Sequence, residues 1–214
     1  MRNNAISRRL KEQDLKAMNR LPPGQSLTEK FPVLHVGSTP QTDLKTWTFK
    51  ISGEVEEEKI WTWDEFNQLP RTSITLDLHC VTRWSKFDTT WEGVSVKTLV
   101  DEGIITLKPT AKYALQICEQ NYTTNTPVDL LLSDNMLLAT HFEGEPIPLE
   151  HGWPLRMVIG ALPHDRDAKT AYLWKGGKWL RELEFRATDQ LGFWENYGYH
   201  NEADPWKEER YARG

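Results

Sequence analysis

The chain has 214 residues, 38% of them hydrophobic and 27% charged, with a formal net charge of -5; this is enough to bury a sizeable core in one domain or two closely packed lobes. The acidic balance argues against general nucleic-acid binding, which needs a basic surface to release counterions from phosphates, and leaves room for a local basic pocket. No apolar run reaches about 20 residues, so no membrane insertion is expected.

Residues 1 to 24 read as a polar helical arm, in which Ile6, Leu10, Leu15 and Met18 keep rough helical spacing among charges until Pro22-Pro23-Gly24 ends it. The segment has no run of signal-peptide length, which predicts a cytoplasmic protein. Trp47, Phe49 and Ile51 then alternate with polar residues as a strand. Thr62 and Glu65 have capping-box spacing for a short helix closed by Pro70. In the clearest strand, Ile74, Leu76 and Leu78 point to one face while Thr75, Asp77 and His79 point to the other. Cys80 continues the apolar phase. Ser95 can cap a helix through Leu99 and Val100 to near Gly103, and Tyr113, Leu115 and Ile117 form a further strand with Cys118 in the opposite phase. Thr126-Pro127 supplies a cap and first helical residue for VDLLLS. Strands follow at Met136 to Phe142, Leu155 to Ile159 and Trp179 to Ala187, separated by Glu143-Gly144 and Gly176-Gly177 turns.

Strands outnumber the short helices and no strand-helix-strand rhythm appears, so residues 25 to 188 are expected to form an α+β domain built on a mixed β-sheet. Residues 189 to 214 form a tail. Its Phe193, Trp194, Tyr197, Tyr199, Trp206 and Tyr211 are too many aromatics for a solvated segment and predict packing back over the domain.

Cys80 ends its strand where the chain turns into Thr82-Arg83-Trp84-Ser85. The only other cysteine is Cys118, without CxxC spacing, which fits a reducing compartment and leaves no disulfide or zinc framework. Arg83 can favour the thiolate, the form that binds soft metals. A nucleophile needs a base, and His79 points to the opposite face. A buried core residue and a metal ligand both stay open. Downstream, Arg156 faces away from the apolar phase of Leu155 and Met157. Joined with Lys175-Gly176-Gly177-Lys178 it reads either as an anion cradle or as a hairpin with exposed lysines. His35 follows an apolar run, and His141, His164 and His200 show no metal-binding spacing.

The order of FPVLHVG, LHCVTRWS followed by WEGV, YTTN, EGEPIPLEHGWPLR and KGGKWL, from Phe31 to Phe185, resembles the sulfite oxidase family of molybdopterin-dependent oxidoreductases, in its small bacterial haem-free members. The tail pattern GFWE, GYH, ADPW is similar to such members too. The resemblance implies a mixed α+β fold with molybdenum held by the dithiolene of a single pterin and by one cysteine, here Cys80. It places His35, His151 and Arg156 against the pterin and its phosphate, and Lys175, Gly176, Gly177 and Lys178 in the loop around the phosphate end. Cys118 is grouped with these residues, from the layer behind the cofactor. The activity implied is oxygen-atom transfer on a small-molecule substrate, an oxyanion or an S- or N-oxide, with electrons exchanged with a separate electron-transfer protein. Arg83 would attract the oxyanion. Thr140, beside His141, aligns where animal and plant sulfite oxidases carry a tyrosine, which weakens the case for sulfite and makes this pair the expected point of substrate choice. A catalytically silent cofactor-binding or protein-interaction module of the same fold is the second reading.

Overall fold

The computed structural model describes residues 2–165 and 167–212. Helix α1 (Arg2–Ala17) leads to a short strand β1 (Ser26–Leu27), and then β2 (Thr48–Gly53) pairs with β3 (Lys59–Thr62) before one helical turn, α2 (Trp63–Phe66). There follow β4 (Thr72–His79), β5 (Trp84–Val94), α3 (Val96–Asp101), β6 (Tyr113–Cys118), β7 (Thr123–Pro127), α4 (Val128–Leu131), β8 (Met136–Phe142), β9 (Glu145–Pro146), β10 (Arg156–Ile159), β11 (Leu180–Arg186) and α5 (Phe193–Asn196). No helix among the described residues is long and apolar enough to cross a membrane.

The strands form two mixed sheets. One runs β1-β5-β8-β10, with β4 added on β5 and β9 on β8; the other runs β3-β2-β11-β6-β7. β1 is parallel to β5 and β11 is parallel to β2, while the other pairs are antiparallel. With short helices filling the connections, this is an α+β fold. Phe49, Ile51, Ala114, Leu183 and Phe185 of the second sheet pack with Val94, Leu138, Met157 and Ile159 of the first in one core. On its other face the first sheet buries Leu76, Leu78, Trp91, Leu137, Ala139 and Val158, covered by Phe31. Strands β8 and β10 are therefore buried on both faces over most of their length, and their residues read as continuous apolar runs for that reason.

Local signals explain many boundaries. The Thr62 hydroxyl accepts from the Glu65 N–H at 3.4 Å, and the Glu65 carboxylate accepts from the Thr62 N–H at 2.8 Å, completing the capping box. Ser95 accepts from the Thr98 N–H. Pro127 is the residue before α4 rather than its first helical residue. Five strands, β1, β3, β5, β7 and β9, are not visible in the sequence pattern, and two of them are explained by buried polar groups. β5 continues from the polar turn after Cys80 because its polar side chains are satisfied internally: the Thr89 hydroxyl donates to Leu76 O at 2.7 Å and accepts from Trp91 Nε1 at 3.0 Å. β7, the run TTNTP, is buried in the same way, with Thr126 accepting from Gln116 Nε2 at 2.9 Å.

The polar face of β4 is closed by the segment after α1. Arg20 clamps the buried Asp77 carboxylate through Nε at 2.8 Å and Nη2 at 2.7 Å, and Asp77 also accepts from the Asp88 N–H at 3.0 Å. This bidentate pair fixes the N-terminal arm against the strand that ends at Cys80. Arg20→Met leaves the carboxylate buried without its cation and is expected to destabilise the fold by about 3 kcal/mol. Urea denaturation measures this, and an unchanged midpoint would show that the clamp contributes nothing net.

Candidate functional site

Cys80 stands at the reversal between β4 and β5. Its N–H donates to Trp84 O at 2.9 Å, the Arg83 N–H donates back to Cys80 O at 3.0 Å, and Gln25 Nε2 donates to the same carbonyl at 3.0 Å. Arg83 takes the left-handed conformation with φ of 73°, which tightens the turn. The thiol lies 3.1 Å from the Thr82 hydroxyl. Burial raises its pKa, against the lowering effects of Thr82, Arg210 and Lys178. Cys80 is thus a protonated thiol that a soft cation would ionise by displacing the proton. His79 is no base for it: its Nδ1 lies 2.9 Å from Ser85 Oγ, and burial, aided by Arg20, holds its pKa down to about 3.

Facing Cys80 is a cationic lobe where the two sheets meet. Met157 N–H donates to Gly177 O at 2.8 Å and Leu180 N–H donates to Leu155 O at 2.8 Å, which stitches the start of β10 to the loop before β11. The approach is so close that a Cβ on Gly176 would lie 2.5 Å from Met157 O, and one on Gly177 would lie 2.4 Å from Cys118 Sγ. Only glycines fit there. Arg156, 1% exposed, donates through Nη1 to His151 O at 2.9 Å and through Nε to Met157 O at 3.2 Å. Burial lowers its pKa to about 10, so it stays charged. Lys178 donates to Glu150 O at 2.8 Å, and its pKa falls to about 7 through burial first and the Arg156 charge second. Below pH 7 both are cations, and an anion bound between them would hold Lys178 protonated at higher pH.

Between Cys80 and this lobe lies an open cleft. Cys80, His35, His151, Arg156, Gly176 and Lys178 all line it, together with Phe31, Trp84, Tyr122, Trp174, Trp179 and Trp194. Phe31 stacks on His151 with ring centres 3.9 Å apart, and exposed His35 meets the edge of Trp179 at the mouth. Burial, then Lys178 and Arg156, bring the His151 pKa to about 4, so its ring is neutral. Trp84 Nε1, Trp174 Nε1 and His151 Nδ1 are buried without hydrogen-bond partners among the described residues. Those atoms, flat aromatic walls, one soft donor and a cationic end suit a heteroaromatic group carrying a metal at one end and a phosphate at the other. No three His, Cys, Asp or Glu side chains converge among the described residues, so Cys80 offers a single protein donor.

Six other residues expected at the site lie outside the cleft lining. Cys118 packs beneath Gly177, outside the cleft, and burial pushes its thiol pKa far up. Gly177 is just behind the wall, its N–H bound by Gln116 Oε1 at 2.8 Å. Lys175 points away from the cleft into a buried pair with Glu195 at 2.6 Å, where it also meets Asn125 at 2.7 Å, because the short helical turn Leu173–Lys175 rotates it inward. Thr140 and His141 are not at the cleft either. The Thr140 hydroxyl accepts from Arg71 Nη2 at 2.6 Å and lies 2.9 Å from His141 Nδ1, on the sheet edge beside β9. Arg83 is exposed and does not line the cleft. Tyr122 and Trp179 line the cleft from within the YTTN and KGGKWL runs without having been singled out, and Trp194 comes from the tail.

The family model described as the oxidoreductase molybdopterin binding domain matches residues 36–194. The chain belongs to this family. It is 38% identical over 194 residues to the uncharacterized oxidoreductase YuiH of Bacillus subtilis strain 168, covering 90% of this chain and 92% of that one. It is 22% identical to the mitochondrial sulfite oxidase of Macaca fascicularis, with 89% of this chain matched to 39% of that protein. The crystal structure of the sulfane dehydrogenase SoxCD from Paracoccus pantotrophus shares the fold, at a TM-score of 0.57 and 20% identity over 70% of this chain and 40% of that one. All of the cleft residues from Val36 to Trp194 fall inside the family span.

The contact between Gly177 and Cys118 is testable by itself. Gly177→Ala is expected to destabilise by about 2 kcal/mol through overpacking, and adding Cys118→Ala, which removes the clashing sulfur, should return most of it. Thermal unfolding of the four proteins checks this; additive losses in the double variant would mean that the two positions do not meet.

Proposed function

We propose that the chain is a molybdenum-molybdopterin oxidoreductase that transfers an oxygen atom to or from a small oxyanion or S- or N-oxide and exchanges electrons with a separate electron-transfer protein. The observation that carries this reading is the placement of one buried thiol, Cys80, across an aromatic cleft from the Arg156 and Lys178 cations. Those are the two ends that a metal-bearing dithiolene with a phosphate tail requires. Family membership supports the same reading.

When bound, the metal centre supplies the two-electron oxygen-atom chemistry. The protein's part is to hold and tune it. Cys80 would give up its proton and serve as the protein sulfur ligand, a soft donor suited to the metal. Arg156 and Lys178, with the Gly176 backbone, would neutralise the phosphate. Neutral His151 and the Trp84 and Trp174 N–H groups would take up the polar edges of the ring system, while the aromatic walls exclude water. Leu34 on the cleft wall is 51% exposed and Val33 beside it 44% exposed, an apolar rim that suits transient docking of a redox partner.

Protein made in a host able to synthesise the pterin is expected to carry about one molybdenum per chain, lost in Cys80→Ser and kept in Cys118→Ser. Metal analysis alongside turnover with an artificial dye reads this. Molybdenum content unaffected by Cys80→Ser would overturn the ligand assignment, and full metal content with no dye turnover would favour a silent binding module.

A further inference from the structure

The cationic lobe contains an amine whose chemistry goes beyond holding a phosphate. Lys178 Nζ donates to Glu150 O at 2.8 Å and lies 5.8 Å from the centre of the Trp179 ring, so a neutral carbonyl and a ring hold it. Exposed lysines are held differently: Lys97 pairs with Asp101 at 2.8 Å and Lys169 with Asp129 at 2.6 Å, and these carboxylates raise the pKa of their lysines. Lys178 has a second cation for a neighbour instead. Gly152, with φ of 117°, sets the pair side by side: a Cβ there would lie 3.0 Å from Arg156 Cβ and 3.1 Å from Lys178 Cβ. Both side chains line the open cleft, and Lys178 is only partly buried.

Burial first and the Arg156 charge second bring the Lys178 pKa to about 7, against the raising effects of Glu150 and Cys80, while neighbouring His151 is neutral. About half of the side chain is therefore free amine at pH 7. A phosphate on Arg156 draws part of it back to ammonium, and the free fraction still exceeds that of a lysine paired with a carboxylate. A nucleophile beside a phosphate-binding cation suits one class of reagent, a small acyl phosphate, because Arg156 would both dock the phosphate and stabilise it as it leaves. We propose that Lys178 is an acylation site of the cofactor-free protein, modified by an acyl phosphate docked on Arg156, and that the modification closes the cleft to the cofactor. The amine nitrogen attacks the carbonyl carbon and the C–N bond forms. The bond from that carbon to the phosphate oxygen breaks, phosphate leaves with the electron pair, and the ammonium proton passes to water; nothing is oxidised or reduced. The amide carries no charge, so one of the two cations facing the phosphate end is lost. The block on loading rests on the oxidoreductase reading; the acylation does not.

Acetyl phosphate is the probe, added to protein free of molybdenum and pterin, with acetylated peptides quantified over time by mass spectrometry. Lys178 is expected to react about tenfold or more faster than Lys97 and Lys169, and inorganic phosphate should slow Lys178 alone. With p-nitrophenyl acetate, which delivers the same acetyl group without a phosphate, the preference should shrink several-fold. Lys178 reacting no faster than the exposed lysines, a rate indifferent to inorganic phosphate, or an equal preference with p-nitrophenyl acetate would overturn the site. Lys178→Gln, neutral like the amide and checked for folding by circular dichroism, should lose most of the molybdenum found in the unmodified protein made in the same host. Unchanged molybdenum in that variant would overturn the block on loading. Absence of molybdenum from the unmodified protein as well would defeat the oxidoreductase reading and leave the acetylation result standing.

Discussion

The cleft depends on one backbone seam, the paired hydrogen bonds that tie Leu155 and Met157 to Leu180 and Gly177 at 2.8 Å. Through it the first sheet, which carries Cys80 at the end of β4, is fixed to the second sheet, whose strand β11 opens with the glycine loop. A seam this close admits no side chains, so Gly176 and Gly177 are a steric requirement before they are anything else. Once the backbones meet, Arg156 at the first position of β10 and Lys178 just after the glycines are forced together. A buried cation, Arg156, and a partly buried one, Lys178, result, each with its pKa lowered by burial.

That electrostatic arrangement explains the balance at Cys80. The sulfur is buried, which favours the neutral thiol, while cations act on it from the lobe across the cleft and from the tail. Such a thiol is quiet toward electrophiles and ready for a metal, because metal binding replaces the proton and the nearby positive charge stabilises the sulfur that remains. His79 does not serve it as a base, since it is neutral and bound to Ser85. The tail is fixed by its own buried pair. Lys175 and Glu195, each 1% exposed, meet at 2.6 Å, with Thr124 donating to Glu195 at 3.0 Å. Gln116 donates to the Lys175 carbonyl at 2.8 Å and accepts from Gly177, so the docking of the tail and the shape of the glycine loop share one network.

Much of the fold was legible where local rules decide. The capping box at Thr62, the alternation of Ile74, Leu76 and Leu78, and the apolar runs of β8 and β10 all follow from propensity and period, and tertiary context does not override them. β5 and β7 were hidden because many of their buried residues are polar, Ser85 and Thr89 in one and Thr124, Asn125 and Thr126 in the other, whose burial is favourable only after distant partners such as Gln116 and Leu76 arrive. The cleft was legible at Cys80, His35, His151, Arg156, Gly176 and Lys178, where the spacing of motifs follows a shared family geometry. It failed at Lys175, since cations on either side of a glycine pair look alike until the helical turn before it rotates one inward. Thr140 and His141 were placed by alignment to a tyrosine, and the β8-β9 edge carries them away from the cleft. Arg210 could not be found by motif at all. It sits in an acidic and basic tail run, KEERYARG, and only the folded contact with Val81 O distinguishes it from a solvated arginine.

The central claim is that Cys80 completes the sulfur shell of a molybdenum centre held between it and the Arg156 and Lys178 lobe. Molybdenum K-edge X-ray absorption on the purified protein counts that shell directly. The account predicts three sulfur neighbours, two from the dithiolene and one from Cys80, falling to two in any metal that a Cys80→Ser variant retains. A count that is the same in both proteins would contradict it.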